Sequence, residues 1–525
     1  MATVQLIKAL QNPALYDYAI PEFRVIETHI SWVILTGKFA YKIKKPVDFE
    51  VLNFSTLDKR HYCCEEEMRL SKLLAPDLYV EIIAITGSET QPQINGKGDV
   101  IEYAIKMHEF PQTQIFTQVL ARQQLTTALI DQLAKVIAEF HLNTPVAAAD
   151  SVYGTPEHAH FPVIQNFTQI LPWLTDATDK AQITQLQHWA ELQYQHHQAL
   201  FIKRKQQGFI RDCHGDLHLG NIILHNHKPV LFDRIEFNLD LRWIDVMADI
   251  AFLAMDLYDQ QQPALAHRLI NTYFAYTGDY EGLGLLPYYM SYRAMVRAKV
   301  VLFHSTQSGL DDIIQQNLRQ QYRKFVALAE RCTQLTPPVL LITNGLSGAG
   351  KSTVARFVIE QMGAIQINSD TERKRLFNLP LNAQTNANLN QGIYLPEATE
   401  KTYAHLANLA RIIIQAGYTV VVDATFLKKA HRMAFADLAA QLQVPFAILH
   451  CQAERKVMEI WLKQRAALEH ESSEAGLAVL NMQESALEAL DDKEKSYVIK
   501  VDPNNINEAL LNNQLQSLYQ IAKVV

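Results

Sequence analysis

Apolar and polar positions follow two different rhythms along this chain. From Trp32 to Lys44 they alternate about a turn at Thr36-Gly37-Lys38, which predicts two strands. Val100 to Met107 reads as a further strand. Glu65 to Leu74 carries helical spacing, with Met68, Leu70, Leu73 and Leu74 predicted inward. Leu125 to His141 and Ala181 to Arg204 read as longer amphipathic helices. Strands come first and helices dominate later, the order of a small sheet lobe followed by a larger helical one.

The rhythm changes after a polar, helical stretch from Asp311 to Cys332. Thr336-Pro337-Pro338 breaks a helix and stiffens a connection, so a domain boundary is expected there, giving domains 1–335 and 336–525. Beyond it Val339 to Thr343 is a short apolar run of the kind that forms a buried parallel strand. Strands at 364–368, 419–423 and 445–451 then alternate with helices, which predicts an α/β domain with a parallel sheet.

Composition adds little to that picture but excludes several classes. With 525 residues, the length prior is about two to four domains. Hydrophobic residues make up 48% and charged residues 20%, which suits a globular protein. A net charge of −7 argues against a dedicated duplex-DNA binder while leaving room for a small basic phosphate pocket. Cys63, Cys64, Cys213, Cys332 and Cys451 are scattered and lack CxxC spacing, so neither a disulfide framework nor a zinc site is expected. Met1 to Lys8 lacks the apolar core of a signal peptide, and no apolar run approaches the roughly 18 residues of a membrane span. A cytoplasmic enzyme without a membrane partner is the expectation.

Gly345-Leu346-Ser347-Gly348-Ala349-Gly350-Lys351-Ser352 matches G-x-x-x-x-G-K-[ST], between a predicted strand and a predicted helix. The glycines let backbone N–H groups turn inward around phosphate oxygens, and the helix start adds a favourable dipole. Lys351 is expected to reach the β/γ phosphates of ATP and Ser352 to ligate Mg²⁺. Thr353 completes the ATP-binding stretch. A chance Gly-rich turn explains neither the full pattern nor its context. Asp370 and Asp423 each stand at the C-terminal end of a predicted strand, where open α/β sheets bind ligands. Asp370 is a candidate base, with a helix N-cap as the competing role. Asp423 is a candidate metal ligand or substrate-orienting group. Arg373, within a basic trio at 373–375, is a candidate substrate contact.

The second motif is His214-Gly215-Asp216-Leu217-His218-Leu219-Gly220-Asn221, with Asp233 twelve residues on, after the apolar run Val230-Leu231-Phe232. Phosphoryl transfer to a hydroxyl needs a carboxylate for the proton and ligands for Mg²⁺. Asp216 is placed as the base, with Asn221 and Asp233 as metal ligands. The spacing D-x-x-x-x-N, then D, matches that of the protein-kinase catalytic loop. Tight loops and a core histidine would account for the turns, but not for that recurrence.

The stretch 20–330 resembles the aminoglycoside and choline phosphotransferase family, whose signature is H-G-D-x-x-x-x-N. The resemblance implies a bilobal α+β kinase-like fold. It implies that Lys42, in Tyr41-Lys42-Ile43, contacts the α/β phosphates, with Lys44 or Lys45 as alternatives. Its partner is expected within Glu65-Glu66-Glu67, Glu66 being preferred. It also implies that the backbone from Met107 to Glu109 bonds adenine, that the hairpin Trp32–Ala40 covers the phosphates, and that Arg242, Asp245 and Asp249 brace the catalytic loop. That hairpin contains only Gly37, where a protein kinase shows G-x-G-x-x-G, which favours the small-molecule branch.

Residues 339–525 resemble P-loop kinases that include polynucleotide 5′-hydroxyl, gluconate and zeta-toxin-like kinases, through GLSGAGKST, NSDTERKR and VVVDATFLKKAHR. The resemblance implies Asp370 as base and a mobile lid whose arginines clamp the transferred phosphate. Arg465 is the best candidate on that lid, Arg432 is a further basic residue near the site, and 470–483 follows the lid. The two domains in this order resemble a bacterial group of fused phosphotransferase/ATP-binding proteins.

The expected activity is therefore ATP- and Mg²⁺-dependent phosphorylation of a small-molecule hydroxyl at the kinase-like site, with a second, P-loop kinase centre. Alternatives are a nucleic-acid 5′-hydroxyl kinase, which the acidic charge disfavours, one active kinase beside a nucleotide-sensing domain, and a non-catalytic ATP-binding module.

Overall fold

The computed structural model describes residues 3–49, 51–306, 310–381, 383, 392–466 and 477–522. By spatial proximity the chain forms two units. Unit 1 comprises Met1–Val136, Asn143–Pro162 and Gln198–Asp256; unit 2 comprises Ile137–Leu142, Val163–His197 and Leu257–Val525. The seam at Thr336-Pro337-Pro338 lies inside unit 2.

Unit 1 is built on strands β1 (Arg24–Glu27), β2 (Ser31–Leu35), β3 (Phe39–Lys44), β4 (Tyr79–Gly87), β5 (Pro92–Ile94) and β6 (Val100–His108). They form one antiparallel sheet in the order β1-β2-β3-β6-β4-β5. Helix α1 spans Leu57–Ser71 and is capped by the Thr56 hydroxyl, which accepts the Lys59 N–H. It starts earlier and ends sooner than the apolar spacing predicts, because its buried face is partly ionic. Arg60, Cys63, Cys64, Glu67 and Leu70 face inward, and Arg60 forms a salt bridge with Glu102 at 2.8 Å. Leu73, predicted inward, lies past the helix end and is 72% exposed. A short hairpin of β7 (Ile222–His225) and β8 (Lys228–Leu231) follows the H-G-D motif.

Unit 2 contains a five-stranded parallel sheet. Its strands are β9 (Leu340–Asn344), β10 (Ile365–Asn368), β11 (Val420–Asp423), β12 (Phe446–Cys451) and β13 (Val498–Val501), in the order β10-β11-β9-β12-β13. All residues of β9 and β11 are buried, as expected of strands covered on both faces. The strands predicted at 364–368, 419–423 and 445–451 form; β13 is additional, since Tyr497-Val498-Ile499 carries only a weak apolar signal between polar flanks. Helix α5 (Lys351–Met362) packs Val354 and Val358 on Leu341, Val421 and Leu449. Burying each such aliphatic side chain stabilises the unit by about 1.5–3 kcal/mol.

Three helices before the diproline also belong to unit 2: α2 (Pro263–Thr277), α3 (Leu286–Ser305) and α4 (Asp312–Thr333). Helix α2 meets the open edge of the sheet at β10. The Asn271 side chain on α2 donates to the Ala364 carbonyl at 2.9 Å and accepts the Gln366 N–H at 2.7 Å, a pairing that a neighbouring strand would otherwise supply. The Tyr280 hydroxyl donates to Glu372 Oε1 at 3.0 Å, and Glu372 also binds Arg375 and lies 3.2 Å from His405 Nε2. No helix among the described residues is long and apolar enough to cross a membrane.

Because Asn271 is buried, Asn271→Ala would strand two buried backbone groups. We expect it to lower the unfolding free energy of unit 2 by about 1–3 kcal/mol in urea titrations; an unchanged midpoint would mean the edge of β10 is satisfied some other way.

Candidate active sites

In unit 1 the centre begins with alternation on β3, which puts Lys42 and Lys44 on one face. Lys42 Nζ lies 2.8 Å from Glu67 Oε1 and also binds Asp233; Lys44 Nζ lies 2.7 Å from Glu67 Oε2 and also binds Glu236. Five charges thus form a chain, Asp233–Lys42–Glu67–Lys44–Glu236. Burial alone would raise the Glu67 carboxyl, but Lys42 and Lys44 outweigh it and hold the group below the usual carboxylate range. Burial works against the Lys42 charge too, and Asp233 and Glu67 reverse it, keeping the ammonium well above its ordinary value. For Glu236 burial wins and the carboxyl is pushed up.

The partner of Lys42 is therefore Glu67, where Glu66 was expected. One residue is a rotation of about 100° on a helix. Glu67 shares the inward stripe with Cys63, Cys64 and Leu70, whereas Glu66 turns outward and pairs with Arg69 at 2.8 and 2.7 Å. Lys45 is turned to Glu27 and lies over the Trp32 ring.

The H-G-D loop stands at the other side of this charge chain. Gly215 has φ +87°, and a Cβ there would approach the Leu241 carbonyl to 2.7 Å, so only glycine fits before Asp216. Asp249 accepts the N–H groups of His214 and Gly215, each at 2.9 Å, and Asp256 accepts that of Leu219 at 2.9 Å. His214 Nε2 lies 2.9 Å from the Phe232 carbonyl, and burial lowers its pKa, favouring the neutral ring. Arg242 binds Asp212 at 2.5 Å, and Arg204 binds Asp245 at 2.7 and 2.8 Å, so these buried pairs tie down the flanks of the loop. Asn221 donates to the backbone carbonyl and to Oδ2 of Asp216, at 3.0 and 3.1 Å. The β7–β8 hairpin pairs Ile222 with Leu231, and the Phe232 N–H donates to the Asn221 carbonyl at 3.1 Å. This brings Asn221 and Asp233 together despite the distance between them in sequence. Asp233 itself adopts φ 61°.

Two expectations for this unit shift. The turn at 36–38 does not stand over Lys42. Its Thr36 and Gly37 N–H groups donate to Glu109 Oε2 at 2.9 and 2.6 Å, beside the end of β6. The β1–β2 turn, Thr28 to Ile30, lies at the opposite end of the sheet strands, next to Lys44 and Lys45. Met107 lies inside the sheet, opposite Ala40 and Tyr79, with its side chain buried. The N–H groups of His108 and Glu109 are taken by the Leu78 and Lys38 carbonyls. Sequence reading missed Phe110 and Phe232, whose rings lie 5.5 Å apart in an apolar cluster with Met107 and Ile223. The apolar run ending at Asp233 was the signal available.

In unit 2 the loop Gly345–Ser352 joins β9 to α5. Gly345, Gly348 and Gly350 have φ of +150°, +81° and +76°, and a Cβ on Gly350 would meet the Pro503 ring at 2.3 Å. Lys351 Nζ donates back to the Leu346 carbonyl at 2.8 Å, and the Ser347 N–H to Gln483 Oε1 at 2.7 Å. Ala349 is buried in the loop and Thr353 opens the first turn of α5. Asp423 ends β11 almost fully buried. Its Oδ2 accepts the Ser352 hydroxyl at 2.8 Å, Gln366 Nε2 at 2.9 Å and Asn368 Nδ2 at 3.0 Å.

Asp370 sits half-buried in the first turn of helix α6 (Ser369–Leu376). The cap of that helix is Asn368, which accepts the N–H groups of Asp370 and Thr371 at 3.0 and 3.1 Å. The competing role considered for Asp370 thus falls to its neighbour. Arg373 is buried and bound to the Ile393 carbonyl at 2.7 Å, with Tyr394 stacked on its guanidinium. Arg432 was expected near the site; it is instead fully buried, paired with Glu494 at 2.5 Å and bound to the Phe426 and Leu427 carbonyls at 3.0 Å. The side chain of Arg465, on the helix Arg455–Ala466, lies outside the described residues, as do residues 470–476. A crevice of about 740 Å³ borders the P-loop at Gly345, Leu346 and Ala349 and is walled by Gln452, Glu454 and Asn504. The last three were missed, although they follow the C-terminal ends of β12 and β13, where such a sheet places ligands.

Comparison with known proteins finds two separate matches along the chain. Residues 58–286 match the phosphotransferase enzyme family and residues 340–490 match an AAA domain. Uncharacterized proteins of Mycobacterium tuberculosis and Mycobacterium bovis are each 28% identical over 450 residues, 85% of this chain and 87% of the relative. Among solved structures, a choline/ethanolamine kinase family protein from Mesorhizobium loti is 10% identical, covering 62% of this chain and 98% of its own, with a TM-score of 0.36. A gluconokinase from Sinorhizobium meliloti is 20% identical, covering 36% of this chain and 96% of its own, with a TM-score of 0.25.

Exchanging the two neighbouring acids tests the register of α1. Glu67→Gln should lower phosphotransfer by the unit 1 centre about 10- to 100-fold, while Glu66→Gln stays within about twofold. The folded Glu67 pKa is depressed, so its contribution to stability is present above the unfolded carboxyl value near pH 4.3 and is lost as pH falls below it. Acid titration of Glu67→Gln should therefore show a shallower loss of stability below about pH 4; a limb as steep as that of the parent would contradict the pairing.

Proposed function

We propose, from a chain that carries a phosphotransferase-family domain followed by a P-loop AAA domain and is thus a kinase, that each domain houses its own ATP-dependent phosphoryl-transfer centre. The first centre phosphorylates a hydroxyl of a small molecule. The observation that carries this reading is the convergence of Asp216, Asn221 and Asp233 beside Lys42, which Glu67 holds charged.

In unit 1 Asp216, whose side chain is 41% exposed, accepts the proton of the acceptor hydroxyl. Lys42 carries positive charge to the α/β phosphates and Glu67 fixes its direction. Lys42 and Asp233 are now paired with each other. Each has a better-matched partner in nucleotide, the lysine a phosphate and the aspartate a divalent cation. Asn221 and Asp233 would hold Mg²⁺. The hard oxygens of an amide and a carboxylate suit that ion.

In unit 2 the amides of Gly345 to Ser352 receive phosphate oxygens, and Lys351 leaves the Leu346 carbonyl for the β/γ phosphates. Ser352 and Asp423, already 2.8 Å apart, form a fitting oxygen pair for Mg²⁺. The bound ion would neutralise charge gathering on the transferred phosphate. Asp370 serves as base, since the cap of its helix is supplied by Asn368. The net charge of −7 favours a small acceptor over a nucleic-acid end.

A phosphate-transfer screen of sugars, amino alcohols, aminoglycosides and 5′-hydroxyl oligonucleotides identifies the acceptors. Asp216→Ala and Lys351→Ala should each remove about 10²- to 10⁴-fold of the turnover at their own centre and leave the other working. Loss of all turnover by one change alone means a single active kinase with a nucleotide-responsive companion. Undiminished turnover in the double variant would refute both assignments, and chelation of divalent cations should silence both centres.

A further inference from the structure

Strands β10 and β11 carry Asn368 and Asp423 at their C-terminal ends. At their N-terminal ends, where Gly363, Ile365 and Thr419 lie, unit 2 encloses a different space, a cavity of about 280 Å³. It is separated from the P-loop crevice by the length of the strands, roughly 13 Å for four residues. Ile270, Leu286 and Met290 form its apolar side, and Arg331, Cys332 and Tyr418 the other.

Three features distinguish this cavity from a packing gap. The Tyr418 side chain is half-buried on the cavity wall, and its hydroxyl makes no hydrogen bond among the described residues. By contrast the hydroxyl of Tyr258, on the same wall, lies 2.7 Å from His267 Nε2. Second, no carboxylate lines the space, so its formal charge comes from Arg331. That guanidinium is exposed at the end of α4 and forms no ion pair among the described residues. Burial favours neutral His267, so Arg331 is the cation along this wall. Third, a cavity of about 150 Å³ lined by aliphatic side chains holds one benzene ring; this one has room for about two fused rings.

We propose that this cavity is a binding site for a small bicyclic aromatic acid. Its rings pack against Ile270, Leu286 and Met290, its carboxylate meets Arg331, and an acceptor on the ring takes the Tyr418 O–H. The site lies on structure that also shapes the P-loop centre, because Ile365 and Thr419 lead directly into the strands ending at Asn368 and Asp423.

Calorimetry on the full chain without nucleotide, using 6-hydroxy-2-naphthoate as probe, tests the site independently of any kinase activity. Binding in the micromolar range is expected. Arg331→Gln should weaken it about tenfold, and Tyr418→Phe, which removes a single O–H, about threefold or more. 2-Naphthol, lacking the carboxylate, should bind weakly and be insensitive to Arg331→Gln. Absence of binding at about 1 mM probe, or parental affinity in Arg331→Gln, would overturn the proposal.

Discussion

A charge withdrawn from water must be answered by an opposite charge or by aimed hydrogen-bond donors, because its desolvation is worth several kcal/mol. Both candidate centres rest on that constraint. In unit 1 it is met by alternation of sign: Glu67 lies between Lys42 and Lys44, and each lysine reaches a further carboxylate. In unit 2 it is met by three neutral donors, from Ser352, Gln366 and Asn368, on one oxygen of Asp423. The two solutions differ in what they offer a ligand. The first presents a fixed cation, and the second a carboxylate already joined to a hydroxyl.

The groups that would grip phosphate are satisfied internally in the described structure. Lys351 is bonded to a carbonyl of its own loop, the Ser347 amide to Gln483, and Lys42 to Asp233. Nucleotide binding must exchange these bonds for new ones, so affinity reflects a difference between two satisfied states. Pairings of this kind keep the donors near their working positions at little cost in reorganisation.

Much of this was legible in the chain because it depends on local pattern. The P-loop is contiguous, and the buried strands β9 and β11 read directly from Val339 to Thr343 and Val420 to Val422. The H-G-D loop is likewise short-range, and the hairpin that brings Asp233 to Asn221 spans a few residues. What was misread depends on rotation or on distant partners. Glu66 and Glu67 differ by one helical step, and only the positions of Lys42 and Lys44 across the sheet show which faces inward. Arg432 reads as a basic residue near the site, and only Glu494, far along the chain, shows it to be a buried structural pair. The turn at Gly37 was placed over the phosphates because its neighbour Glu109 is distant in sequence. The association of α2 with the sheet edge rests on Asn271, and Tyr280, in the turn after α2, reaches Glu372; single polar residues of this kind carry no periodic signal.

The account stands on each domain gripping a nucleotide through its own buried charges. The most direct measurement is the stoichiometry of AMP-PNP binding in the presence of Mg²⁺, by calorimetry on the full chain. Two bound nucleotides per chain are predicted, one of them lost in Lys42→Ala and the other in Lys351→Ala. A single binding event, or two that survive both substitutions together, would contradict it.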